Sequence, residues 1–375
     1  MYLKRIAILG AGNGGITAAA DLGSRGFSVS LYELPRFAHN LEPVVRRGGI
    51  LLKTKEGDRL VTPDLITTDI TEALAGARVV MLVVPSTAVE EMAVLCAPCL
   101  RDGQIVFLNG AAAMGSLRFI RTARAHGATA DYRIGESASL TYACRVNQNA
   151  EAELILRVGK VKFAALPAQD TPELLAVCRE LYDCLIPAAN VWEVCLNNGN
   201  PESHCGPSLL NAGRIEYSKG EFYLYTEGIT PTVINVIEAV ARERKAICRA
   251  LGLSFVPPEV RLVELGYCEP AASLFDQYQQ STIFAPIKGP LNLSSRYFTE
   301  DIPMGLVLWA SLGRALSVPT PVMDSIITLG GALLGRDYRE EGITLQKLGL
   351  EGLNALELTE MVTGRADSSF YKGSE

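Results

Sequence analysis

Three stretches of the chain hold residues whose types and spacing suit chemistry. The first is Asn197-Asn198-Gly199-Asn200-Pro201-Glu202-Ser203-His204, a polar cluster read as a loop entering an otherwise apolar region. Histidine exchanges a proton near neutral pH, so His204 suits a carbonyl or imine reduction that takes up a proton as hydride arrives. The other two histidines read as solvated or capping: His39 in a charged segment, and His126 before Gly127 at a helix end. The second stretch is Arg296-Tyr297-Phe298-Thr299-Glu300-Asp301. A guanidinium there can fork onto a carboxylate, and an aspartate can hold a histidine in one tautomer. A helix cap and a surface ion pair are the plainer uses of the same residues.

The third stretch is Gly10-Ala11-Gly12-Asn13-Gly14-Gly15, between a strand-like run at 4–9 and a helical pattern at 13–25. In that context the glycines have separate duties. Gly10 permits the turn, Gly12 lets backbone approach a pyrophosphate, and Gly15 lets the helix pack on the strand. Asn13 and Gly14 complete a helix N-terminus that faces the phosphates. The next strand, 28–33, ends on Glu33, whose carboxylate can accept from adenosine ribose hydroxyls and repels a 2′-phosphate. The expected cofactor is therefore NAD, with NADP second; Arg36 nearby softens that preference. Val84-Pro85-Ser86 and Asn109-Gly110 end later strands on the same edge, so Pro85 and Ser86 are further cofactor-binding candidates.

Short apolar runs at 78–84 and 104–109 alternate with helical patterns at 36–47, 86–97 and 115–126, the signature of an α/β doubly wound Rossmann domain with a parallel sheet. Residues 153–158 and 161–166 read as two more strands. Beyond about residue 195 strand signals are sparse, and 232–251, 304–317 and 321–334 read as helices. The expectation is a dinucleotide-binding domain over 1–188 and a mostly α-helical substrate and catalytic domain over 189–375, with a polar, loose tail after residue 364.

Length and composition bound the partners. The chain has 375 residues, 48% hydrophobic and 20% charged, with a net charge of −6 and no basic block, which excludes nucleic acid and anionic membrane as main partners. No apolar run approaches the roughly 20 residues needed to span a bilayer. With no apolar leader before the first strand, a cytoplasmic location is expected. Nine scattered cysteines fit reduced thiols, and Cys96-Ala97-Pro98-Cys99 lacks the partners of a zinc site, so no metal is expected. The apolar helical faces leave room for a homodimer.

Together these pieces resemble the octopine (opine) dehydrogenase family over nearly the whole chain. The resemblance rests on the glycine turn, Glu136 followed by Tyr142-Ala143-Cys144-Arg145, Asn198-x-Asn200-Pro201-x-x-His204, Gly228-Ile229-Thr230-Pro231, and Arg296-Tyr297-x-x-Glu300-Asp301. It implies that an α-keto acid such as pyruvate condenses with the amine of an amino acid, and that the imine is reduced by hydride from NAD(P)H. It implies His204 as the acid/base with Asp301 orienting it, and Arg296, Asn198 and Arg145 as substrate-binding residues. A structural ion pair is the alternative for Glu136 and Arg145. The family usually carries Pro before Tyr-Ala-Cys-Arg; here Thr141 stands there. Two other readings compete. One is a 2-keto/2-hydroxy acid or glycerol-phosphate-type dehydrogenase using a lysine and an asparagine, for which Lys288-Gly289-Pro290-Leu291-Asn292 is a poor helix. The other is a non-catalytic NAD(H) sensor, which gives the His204 cluster no task.

Overall fold

The computed structural model describes residues 5–364; the polar tail read from the sequence lies outside them. The described residues form two units, 5–194 with 362–364, and Cys195–Met361. The sequence had set the division after 188 and assigned everything beyond to the second unit. Residues 189–194 stay with the first because Lys162 Nζ pairs with Glu193 at 3.0 Å, and Ala189 N donates to the same carboxylate. Gly364 lies against the Gln169 side chain.

The first unit is built on strands β1 (Arg5–Leu9), β2 (Ser28–Tyr32), β3 (Ile50–Thr54), β4 (Gly57–Val61), β5 (Leu65–Thr67), β6 (Val79–Leu82), β7 (Ile105–Leu108), β8 (Arg133–Ser137), β9 (Tyr142–Val146), β10 (Glu151–Arg157), β11 (Val161–Leu166) and β12 (Leu185–Pro187). Eight of them make one sheet in the order β12-β11-β8-β7-β6-β1-β2-β5. All its pairings are parallel except β11 with β8. Its central strands are continuous apolar runs because both faces are covered: Val79, Val80 and Met81 have no exposed surface.

The runs at 153–158 and 161–166 do not pair. β11 enters the large sheet, while β10 joins a second sheet, β4-β3-β10-β9. That small sheet was not read from the sequence. Its strands alternate with charge, and Lys53 and Arg47 both pair with Glu151. The helix expected at 36–47 is a 3-10 turn, Pro35–Asn40, followed by a helix, Glu42–Arg47. Pro43 has no N–H to donate and would crowd the carbonyl four residues back.

The second unit is helical. Its long helix, Pro231–Ala250, is capped by Thr230 Oγ1, which accepts from Val233 N. The Asn200–Leu210 helix packs against it, with Pro201 in the first turn, where a missing N–H is harmless. A buried charge cluster fastens this helix. Glu202 is fully buried and bonds both Arg244, at 2.8 Å, and Arg261. Burial raises the Glu202 carboxyl, but the two guanidiniums outweigh it and hold the group below the usual carboxylate range. Arg244 also donates to the carbonyls of Leu196 and Val256. Among the described residues no helix is long and apolar enough to cross a membrane, and no group of His, Cys, Asp or Glu could hold a metal.

Removing Glu202 leaves two buried guanidiniums without their carboxylate. Glu202→Ala should destabilise the second unit by about 3–5 kcal/mol in denaturant unfolding. A loss under about 1 kcal/mol would mean that the pair is not desolvated as described.

Candidate active site

In the first unit, the turn between β1 and the Asn13–Ser24 helix gives each glycine a distinct constraint. Gly10 has φ +107°, and a Cβ there would stand 2.5 Å from the Val83 carbonyl oxygen. A Cβ on Gly15 would stand 1.7 Å from the Gly10 oxygen, so helix and turn meet backbone to backbone. Gly14 is closed in by Val83 and Leu140 side chains. Gly12 has nothing within 4 Å of a built Cβ, and it and Asn13 are exposed. The result is an open helix N-terminus above a tight turn, which fits a pyrophosphate.

Glu33 sits at the end of β2 and is 5% exposed. Its carboxylate accepts from Ala11 N at 2.9 Å, Leu34 N at 2.8 Å and the Asn40 side chain at 3.1 Å. It therefore fastens the glycine turn. Arg36 is engaged by Glu91 through both terminal nitrogens. Asn13 Oδ1 accepts from Val146 N, tying the helix start to β9. Pro85 is exposed, but Ser86 is buried, and its hydroxyl donates to Ala112 O and accepts from Arg118. Arg118 also holds Glu90.

Thr141, the departure from the family pattern, makes a reciprocal pair with Asn109. Its N–H donates to Oδ1 at 3.1 Å, and its hydroxyl accepts from Nδ2 at 3.0 Å. Proline could not supply that N–H. Ser116 N donates to the Glu136 carboxylate at 2.6 Å, and burial pushes that carboxyl up to about 7. Arg145 lies on β9, exposed, donating to the Cys144 carbonyl.

In the second unit, His204 stands in the Asn200–Leu210 helix rather than in a loop. Its Nδ1 lies 2.7 Å from Asp301 Oδ2 and its Nε2 lies 2.9 Å from the Tyr225 hydroxyl. The Tyr297 ring stacks on the imidazole at 4.1 Å between centroids. A carboxylate can only accept, so Nδ1 carries hydrogen and the chemistry of the neutral ring is at Nε2.

Asp301 is held by its surroundings. It links the short helix Arg296–Thr299 to a five-residue π-helical turn, Ile302–Leu306. Gly305 in that turn touches Pro201 so closely that a Cβ would lie 2.2 Å from the ring. Cys205 Sγ, next to His204, donates to the Tyr297 carbonyl. Arg296 is more than half exposed, with Nε 3.3 Å from Glu300 and Nη2 4.0 Å from the free oxygen of Asp301. One edge of the guanidinium thus faces two carboxylates while the side chain stays open to solvent. Asn198 is buried, and its Oδ1 accepts from Asn200 N, shaping the entry to the helix. The sequence missed Tyr225, which sits in a π-helical turn, Leu224–Gly228, with no periodic pattern around it. Lys288 is surface-exposed and bonds Glu221, away from any helical Lys–Asn pair.

Two family patterns match the chain: NAD-dependent glycerol-3-phosphate dehydrogenase N-terminus over residues 5–111, and NAD/NADP octopine/nopaline dehydrogenase, alpha-helical domain, over 187–334. An opine dehydrogenase from Arthrobacter sp. (strain 1C) is 36% identical over 359 residues, covering 96% of this chain and 99% of its own. Protein ocs of Agrobacterium tumefaciens (strain Ach5) is 27% identical, covering 96% of this chain and all of its own. The fold is similar to a solved octopine dehydrogenase with NADH and L-arginine, with a TM-score of 0.74 at 19% identity, over 97% of this chain and 99% of that one. The chain belongs to the opine dehydrogenase family, and is an NAD(P)-dependent oxidoreductase acting on CH–NH donors.

Proposed function

We propose that the protein condenses an α-keto acid with the amine of an amino acid and reduces the resulting imine, and runs the reverse oxidation, with NAD(H) as the preferred cofactor. The observation that carries this is the His204–Asp301 bond with a solvent-exposed arginine 4.0 Å from the same aspartate. A bound nicotinamide supplies the hydride. The chain supplies the rest. Arg296 binds a substrate carboxylate in its fork. Asp301 fixes the imidazole and balances its charge when it is protonated. His204 gives the proton that lets water leave the carbinolamine, and in reverse takes one from the water that adds to the iminium. Preference for NAD(H) is supported by the buried Glu33 carboxylate, which repels a 2′-phosphate, and by the engagement of Arg36 with Glu91.

The deciding assay follows NADH oxidation with a panel of keto acids, with and without amino acids. Turnover should require both. Turnover indifferent to the amino acid would replace this reading with a simple keto-acid reductase.

Two substitutions test the roles. His204→Ala should lower kcat by roughly a hundredfold or more while NADH binding, read by fluorescence, persists. Arg296→Leu should raise the KM for the substrate whose carboxylate it binds by roughly tenfold or more, corresponding to the loss of a charge-assisted hydrogen-bond pair. An unchanged KM for both substrates would remove Arg296 from binding.

A further inference from the structure

Both nitrogens of His204 already have partners. Asp301 takes Nδ1 and the Tyr225 hydroxyl takes Nε2, at 2.7 and 2.9 Å. A proton leaving the imidazole on its reactive side therefore meets the phenol oxygen first. We propose that Tyr225 is a catalytic residue of this enzyme, whose hydroxyl relays the proton between His204 Nε2 and the substrate. This rests on the reading of His204 as the acid.

The alternative is that Tyr225 swings aside and leaves Nε2 to the substrate. The packing opposes it. Tyr225 is 5% exposed and belongs to an apolar cluster with Ile229, Ile234, Ile237 and Leu262. Its ring stacks on Phe284 at 4.4 Å and 20°, and lies 6.0 Å from the parallel ring of Tyr278. The imidazole is equally confined by Tyr297, at 4.1 Å. Both residues that grip His204 adjoin π-helical turns, Leu224–Gly228 and Ile302–Leu306, an uncommon backbone form that recurs at functional sites.

A phenol suits the task because it accepts and donates through one oxygen. Burial, then the neighbouring Tyr297, pushes its acidity well above the ordinary value. It therefore does not rest as phenolate and must gain one proton as it gives the other. The charged and titratable groups around the pair include Asp301, Arg296, Glu300, Tyr297, Tyr278, Tyr267 and Cys205. In the forward direction the imidazolium Nε2–H bond breaks as that proton joins the Tyr225 oxygen. The original phenol proton goes to the carbinolamine hydroxyl. The C–O bond breaks, water leaves, and the nitrogen lone pair forms the C=N bond of the iminium. Imidazole ends neutral, tyrosine is regenerated, and no oxidant or reductant is consumed in this step.

Tyr225→Phe removes the hydroxyl and keeps the ring. Steady-state kinetics should show kcat lowered by about a hundredfold with KM values and NADH affinity within about threefold of the parent enzyme. A kcat within about threefold of the parent, in a preparation where His204→Ala is down a hundredfold, overturns the relay and leaves the His204 reading standing. If His204→Ala is itself near parent activity, the acid assignment falls and the relay with it. A second measurement avoids mutation. With the proton-transfer step limiting, the rate in H2O/D2O mixtures should curve with deuterium content, since two protons move together. A linear dependence, one proton in flight, overturns the relay.

Discussion

One fully buried carboxylate shared by two guanidiniums is the constraint on which the helical unit rests. Glu202 brings no hydrophobic gain, and its burial is tolerable only because Arg244 and Arg261 both reach it. That fixes where the Asn200–Leu210 helix must lie against the Pro231–Ala250 and Pro258–Leu265 helices. Glu202 and His204 are two residues apart, so on a helix they point some 200° apart. One side of the first turns is a charge lock, and the other presents the imidazole. Arg244 extends the lock to the chain on either side through the carbonyls of Leu196 and Val256.

The glycine turn and the His204 cluster were legible to different degrees for a physical reason. The glycine turn, β1, β2 and Glu33 are contiguous, and their constraints are local: a positive φ at Gly10, a backbone approach at Gly15, an acid one strand later. The large sheet was legible because its central strands are apolar on both faces. The small sheet was not, since β3 and β10 pair across about a hundred residues and charged residues interrupt the strands. Around His204 the residue types were visible, but the backbone was not. The polar run at 197–204 reads as a loop, whereas a proline in a first turn, Pro201 here, begins a helix. Tyr225 was invisible because its importance comes from what folds onto it: Phe284 and Tyr278 from distant sequence, and an imidazole from another helix.

Thr141 shows how a departure from a family pattern can be absorbed. Where a proline would be rigid by its ring, the threonine is held by two hydrogen bonds to Asn109. The loop is fixed by pairing in place of covalent restraint, and the end of β7 becomes linked to the start of β9. Arg118 acts similarly on the neighbouring loop, joining Ser86 and Glu90 from a buried position.

Glu33 carries a further consequence for how this enzyme could change its cofactor. The side chain proposed to repel a 2′-phosphate is the same one that accepts the Ala11 N–H inside the glycine turn. Exchanging it for a small or basic residue would strip an acceptor from a buried donor in the loop that must receive the phosphates, at a cost of about 1–3 kcal/mol. Adaptation to NADP(H) is thus a coupled trait: a new acceptor for the turn has to arise alongside the new phosphate contact, and Asn40, which donates to the same carboxylate, needs a new partner as well.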